Sequence, residues 1–130
     1  MPQPIQTVRS PFGRSEAGNI EYDRYLADHD KPNGSFVYHG IKVEIKKHID
    51  MGIWNGYLFL TNLQADLLQK DVHGGWTYQD EHLFGFDTCH GFIDFIPSLY
   101  LYSGYYHPGS TYKNYDWMVQ HIKHIIDKLG

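Results

Sequence analysis

Residues 114–130 read NYDWMVQHIKHIIDKLG, and the spacing of apolar side chains there decides how the rest of the chain must be arranged. Tyr115, Met118, Val119, Ile122, Ile125, Ile126 and Leu129 fall at i, i+3, i+4, i+7, i+10, i+11 and i+14, one stripe of a 3.6-residue period. Asn114 stands at the N-cap position, Asp116 complements the dipole of the first turn, and Gly130 follows the last apolar residue. A helix with one apolar stripe needs a partner surface, and upstream the chain supplies one. Ile41, Val43 and Ile45 alternate with Lys42, Glu44 and Lys46, as in a half-buried strand. His48 to Gly52 makes a turn, and Ile53 to Leu60 reads as the returning strand, where Gly56 marks a bulge or a close backbone approach.

Further out the signals weaken. Leu63, Leu67 and Leu68 have helical spacing within Asn62 to Lys70, with Asn62 as the expected cap. Val72 to Tyr78 and Leu83 to Asp87 read as a second hairpin, turning over Gln79 to His82. Phe92 to Pro108 reads as one short strand plus loop. Pro2, Pro4, Pro11, Gly13, Gly18, Pro32 and Gly34 punctuate residues 1–35, predicted as an irregular arm in which only Glu21 to Ala27 could turn helically. Residues 36–130 are predicted as a single α+β domain, a mainly antiparallel sheet with the amphipathic C-terminal helix packed on one face.

The composition excludes several classes. The chain has 130 residues and one cysteine, Cys89, so neither an internal disulfide nor a multi-cysteine zinc module is expected. No apolar run is long enough to span a membrane and the first residues lack a signal-peptide core, so a cytoplasmic protein is expected. Residues 71–112 hold Asp71, Asp80, Glu81, Asp87 and Asp94 without one Lys or Arg. Duplex binding needs clustered cations, so nucleic acid is not expected as a partner. The enrichments are 9 His and a total of 3 Trp, 11 Tyr and 7 Phe.

Those enrichments concentrate in Val72-His73-Gly74-Gly75-Trp76-Thr77-Tyr78, in Phe84-Gly85-Phe86-Asp87-Thr88-Cys89-His90, and at Asp94. Antiparallel pairing outward from the expected turn would set residue i opposite about 161 − i, bringing His73 near Asp87 and His90. In one reading His73, His90 and either Asp87 or Asp94 hold a divalent metal, zinc, manganese or iron, since imidazoles and carboxylates are ordinary ligands for all three. In another, His73, Asp87 and His90 act as catalytic or hydrogen-bonding groups, Asp87 fixing the His90 tautomer. Gly74, Gly75, Trp76, Tyr78 and Asp94 would then line the ligand. The same residues also admit a structural reading, in which Asp87 caps a turn and His90 is a satisfied buried histidine. Cys89 reads as a structural thiol, and His121 and His124 are expected to face water.

The Val-His-Gly-Gly-x-Thr-Tyr run at 72–78, the Phe-Gly-Phe-Asp-x-x-His run at 84–90, Asn55-Gly56-Tyr57, and Tyr112-x-x-Tyr115 before the last helix together resemble a family of small uncharacterised bacteriophage and prophage proteins. The resemblance spans about residues 38–130 and implies an accessory protein of the host bacterial cytoplasm. Cys89 stands where a small apolar residue is usual, and the acidic residue after the histidine is displaced to Asp94. Three functions remain open on these grounds. The first is binding of a small polar ligand, a host nucleotide-type or metabolite signal sequestered in counter-defence. The second is a His/Asp or metal-dependent hydrolase, and the third a protein–protein inhibitor without pocket chemistry. The aromatics not used in a pocket would serve the core or a homo-oligomer interface.

Overall fold

A computed structural model describes residues 15–130. Helix α1 spans Glu16–Asp28, followed by β1 (Gly34–Tyr38), β2 (Ile41–His48), β3 (Ile53–Phe59), α2 (Asn62–Leu68), β4 (Tyr78–Asp80), β5 (Leu83–Asp87), α3 (Pro97–Ser103) and α4 (Tyr115–Asp127). The five strands form one sheet in the order β1-β2-β3-β5-β4, and every pairing is antiparallel. The fold is therefore α+β with α4 packed against the sheet, as expected.

Alternation decides the two faces. Ile41, Val43 and Ile45 on β2, Trp54 and Leu58 on β3, and Phe84 and Phe86 on β5 are buried on the inner face with Met118, Ile122, Ile125 and Ile126 of α4. Gly56 is a site of close approach, not a bulge. It pairs regularly with Ile45 and Phe86, and a Cβ there would lie 2.6 Å from the Phe86 ring and 3.1 Å from Ile122 Cδ1. On the outer face the cross-strand rows are Lys46–Asn55–Asp87 and Glu44–Tyr57–Gly85–Tyr78. Asn114 caps α4 as anticipated, its side chain accepting the Trp117 N–H at 2.8 Å.

Elsewhere the structure corrects the sequence reading. From Ser15 onward the expected arm is ordered structure, while residues 1–14 lie outside the described residues. Ser15 caps α1 by accepting the Gly18 N–H at 2.9 Å, and α1 runs well beyond Glu21–Ala27 because Tyr22 is buried against the core and Gly18 admits the Tyr100 ring. In α2 the cap is Thr61, in a reciprocal box with Gln64, and Ala65 and Leu68 face inward, leaving Leu63 and Leu67 exposed. The segment read as strand plus loop contains helix α3, begun by Pro97 and ended by left-handed Gly104 at φ 74°. The second hairpin is much shorter than expected. Residues 72–77 form a loop, and Tyr78 pairs with Gly85, so paired numbers sum to 163 instead of 161.

Candidate functional site

His73 and His90 meet by a route the register argument did not foresee. His73 sits in the loop after α2, where Gly74 and Gly75 have φ of 71° and 76°. That left-handed pair turns the chain back, and the missing side chain of Gly74 leaves room for the His90 ring. A Cβ on Gly74 would stand 2.2 Å from His90 Nε2. The two imidazole centroids are 5.2 Å apart and nearly perpendicular.

The carboxylate that joins them is Asp94, not Asp87. His73 Nε2 lies 2.8 and 2.9 Å from the two Asp94 oxygens, and His90 Nδ1 lies 3.0 Å from Oδ2. The His90 backbone N–H also donates to Oδ2, at 2.9 Å, and the Lys113 ammonium is 3.3 Å from Oδ1. The Asp94 side chain is 0% exposed, whereas that of His90 is 31% exposed. Asp94 reaches this position because the Gly91–Ile93 turn sends its N–H back to the His90 carbonyl at 2.7 Å. Parallel bridging of Asp94 to Thr111 then carries Lys113 alongside. Lys113 also donates to the carbonyls of Ile93 and Thr111 and to the Thr111 hydroxyl.

Asp87 plays the part foreseen by the structural reading: Oδ1 accepts the Cys89 N–H at 3.1 Å and stays 3.7 Å from His90 Nδ1, beyond hydrogen-bonding range. It is an outer-face residue at the margin of the centre. Trp76 is not a wall of the centre either. Its indole N–H donates to the Ala65 carbonyl at 2.9 Å and its ring packs on Phe84 and Phe86. Tyr78 lies on the outer face against Tyr57, with centroids 5.7 Å apart. Gly75 closes the loop by donating to the Val72 carbonyl at 2.8 Å.

A third imidazole, expected in solvent, belongs to the centre. His121 Nε2 accepts the His73 backbone N–H at 3.0 Å and its ring stacks on Trp117 at 4.8 Å. His124 is exposed as expected. The i, i+4 spacing of Trp117 and His121 was the available sequence signal; Lys113 precedes the Asn114 cap, outside that helical spacing, and its ammonium lies 5.7 Å from the Trp117 ring centroid. Lys113, one residue past the stretch 71–112 that lacks Lys and Arg, brings a cation to the centre.

The electrostatics follow from this packing. Burial alone would raise the Asp94 pKa, but the hydrogen bonds from His73 and His90 overcome it and hold the carboxyl below its usual value. Burial, followed by the neighbouring His73 and His124, lowers the pKa of His121 to about 4, in keeping with a ring nitrogen that accepts a backbone N–H. Burial and then Asp87 and Asp94 raise the Cys89 pKa, which makes it an unreactive thiol. Because a carboxylate only accepts, His73 carries its proton on Nε2 and His90 on Nδ1. The ring nitrogens turned away from Asp94 are His73 Nδ1 and His90 Nε2.

His73, His90 and Asp94 also present ligand atoms all within 4.8 Å of one another, so the cluster could hold a metal ion. A cleft of about 690 Å³ contains none of the site residues named from sequence. It is lined by Tyr25, Lys47, Leu101 and Tyr112, while the residue after Tyr112 turns inward to Asp94. No helix is long and apolar enough to cross a membrane among the described residues. No family model matches the chain, and neither a curated protein nor a solved structure is significantly similar to it.

Proposed function

We propose that this chain binds a small polar ligand through the His73–Asp94–His90 centre, with His90 Nε2 as the group that meets it. One observation carries this reading: a fully buried carboxylate whose lone pairs are all taken by protein donors fixes the tautomers of two imidazoles. A ring about one-third exposed and held by a buried carboxylate supplies a hydrogen-bond acceptor, or a general base, in constant orientation at the protein surface. The resemblance to bacteriophage proteins supplies a setting in which that ligand is a host nucleotide-type or metabolite signal, withheld from its receptor.

A thermal-shift screen of polar metabolites against the native chain and His90→Ala tests the reading. Compounds that stabilise the native chain and not the variant support it. A screen in which every stabilising compound acts equally on both overturns it.

The compact donor set favours a second reading, a zinc or manganese site with a hydrolytic water. Two imidazoles and one carboxylate are a common ligand set for such ions. Against it, both imidazole nitrogens that face Asp94 must give up their protons, and the Lys113 ammonium already neutralises that carboxylate. Titration of Zn²⁺ and Mn²⁺ by calorimetry separates the two: stoichiometric binding abolished by Asp94→Asn establishes the metal centre, and its absence rejects it.

A further inference from the structure

Beside the histidine centre, on the outer face of the sheet, lies a hollow of about 210 Å³ lined by Asn55, Tyr57, Thr77, Tyr78 and Asp87. The strand register explains it. Asn55 and Asp87 are cross-strand neighbours in one row, and Tyr57 and Tyr78 flank Gly85 in the next. Without a side chain at Gly85 the Tyr57 ring lies flat across the sheet, since a Cβ there would be 2.7 Å from its Cδ1. Tyr78 then meets Tyr57 edge to face at 86°.

Two polar groups are set among these rings. Asn55 Oδ1 is buried and has no hydrogen-bond partner among the described residues. Asp87 is one-third exposed, and its only hydrogen bond among the described residues uses Oδ1 to hold the Cys89 N–H, which leaves Oδ2 available. An orphaned acceptor, a carboxylate and two electron-rich ring faces have one chemistry in common: they attract a cation that carries N–H donors. The surrounding sequence agrees, since residues 71–112 contain five acidic residues and no Lys or Arg. Lys46, next in the row beyond Asn55, is the internal cation closest in register, and it is directed to Glu44 at 3.9 Å and to the Tyr57 ring at 5.5 Å.

We propose that this hollow receives the protonated amino or amidino group of an organic ligand, with Asn55 Oδ1 and Asp87 accepting its N–H groups and Tyr57 and Tyr78 packing its flanks. Asp87 is 3.7 Å from His90 Nδ1, so a ligand anchored here extends naturally toward the histidine centre. In that respect the inference deepens the small-ligand reading and rests on it. It assigns Asp87 a role in recognition that the histidine geometry denies it in catalysis.

Two model cations probe the hollow at constant ionic strength by amide and aromatic NMR shifts. Benzylammonium carries N–H donors, and benzyltrimethylammonium has the same ring and charge without them. Benzylammonium should shift the Asn55 and Tyr78 resonances saturably, with a midpoint in the millimolar range expected of so small a molecule. The trimethyl compound should bind about tenfold more weakly, the value of a charge-assisted hydrogen bond. Asp87→Asn keeps the acceptor for the Cys89 N–H and removes the charge, and it should abolish saturation. Tyr78→Leu, on the short edge strand, should weaken binding severalfold and serves if the first variant does not fold. No saturable shift at these residues, equal binding of the two cations, or native affinity in the folded variants overturns the proposal. Repeating the titration in His90→Ala separates the two claims, because cation binding survives there even if the ligand reading of the histidine centre fails.

Discussion

The molecule buries two aspartates, Asp28 and Asp94, each beside a lysine, and they do different work. Asp28 closes the end of α1. Its carboxylate accepts the Trp54 indole N–H at 2.7 Å and the Tyr115 backbone N–H at 3.0 Å, and Lys31 lies 3.1 Å away. Those partners belong to β3 and the first residue of α4, so Asp28 ties three elements together and sits at a helix N-terminus that favours negative charge. Asp94 uses the same device with other donors: two imidazoles, a backbone N–H and a buried ammonium. An indole and an amide hold their protons at any ordinary pH, whereas an imidazole can release or accept one. The difference in donors, not in burial, distinguishes a staple from a candidate site.

Replacing each carboxylate is the strongest way to break that contrast. Asp94→Ala strands the buried Lys113 ammonium and should cost about 3–5 kcal/mol, the usual result of removing one partner from a buried pair. Asp28→Ala leaves an indole and an amide unpaired while Lys31, half in solvent, rehydrates, so the cost should be about 2 kcal/mol. Urea unfolding of both variants gives the comparison, and a larger loss at Asp28 would reverse it.

The lysines sharpen it further. Lys113→Met removes a cation that holds Asp94, two carbonyls and a hydroxyl, and should cost roughly 2–3 kcal/mol. Lys31→Met should cost less than about 1 kcal/mol, as for an exposed ion pair. If calorimetric melting shows equal losses, the burial of Lys113 is not energetically distinctive.

Acid should act first on the Asp94 side of the molecule. The folded pKa of His121 is lowered to about 4 from the ordinary 6.5, so the unfolded chain takes up a proton that the fold refuses. The unfolded state binds more protons across that window, and stability therefore falls as pH drops from 6.5 to 4 and is fully present above it. Asp94, with its pKa depressed, adds a further loss below the ordinary carboxylate range. The His121 contribution should be about 2 kcal/mol after allowance for its partial exposure. His121→Gln keeps an acceptor for the His73 N–H, and its denaturation midpoint should change less between pH 7 and pH 5 than that of the native chain.

Gly74→Ala should cost about 1–2 kcal/mol for a side chain at φ 71°, and its more telling effect is local. The added methyl has to displace the His90 ring, so the His90 imidazole NMR signals should move while the Trp54 indole signal held by Asp28 stays in place. Movement of the indole signal instead would mean that the two carboxylate regions are mechanically coupled.

Periodicity carried the sequence reading where the backbone is regular. The stripe of α4, the alternation of β2 and the apolar run of β3 are local patterns, and each was legible because one face of a regular element must avoid water. Local reading failed where the deciding contact came from far along the chain. Leu63 and Leu67 have the spacing of a buried stripe, yet Ala65 and Leu68 are the residues that enter the core. His73, Gly74 and His90 were recognisable as a group, since two adjacent glycines beside a histidine announce a turn that something must approach. Sequence spacing leaves Asp87 and Asp94 both eligible as their carboxylate, since Asp87 ends a strand of the expected hairpin and Asp94 follows it closely.

The sequence by itself thus determined the class of fold, the identity of the inner face and the pair of histidines. Only the tertiary structure decided that Asp94 joins them, that Lys113 neutralises it and that His121 supports the loop. The physical reason is that these three arrive through a turn at Gly91–Ile93, a parallel bridge to Thr111 and the packing of α4. Side-chain direction in such segments is set by long-range contacts that leave no period in the chain.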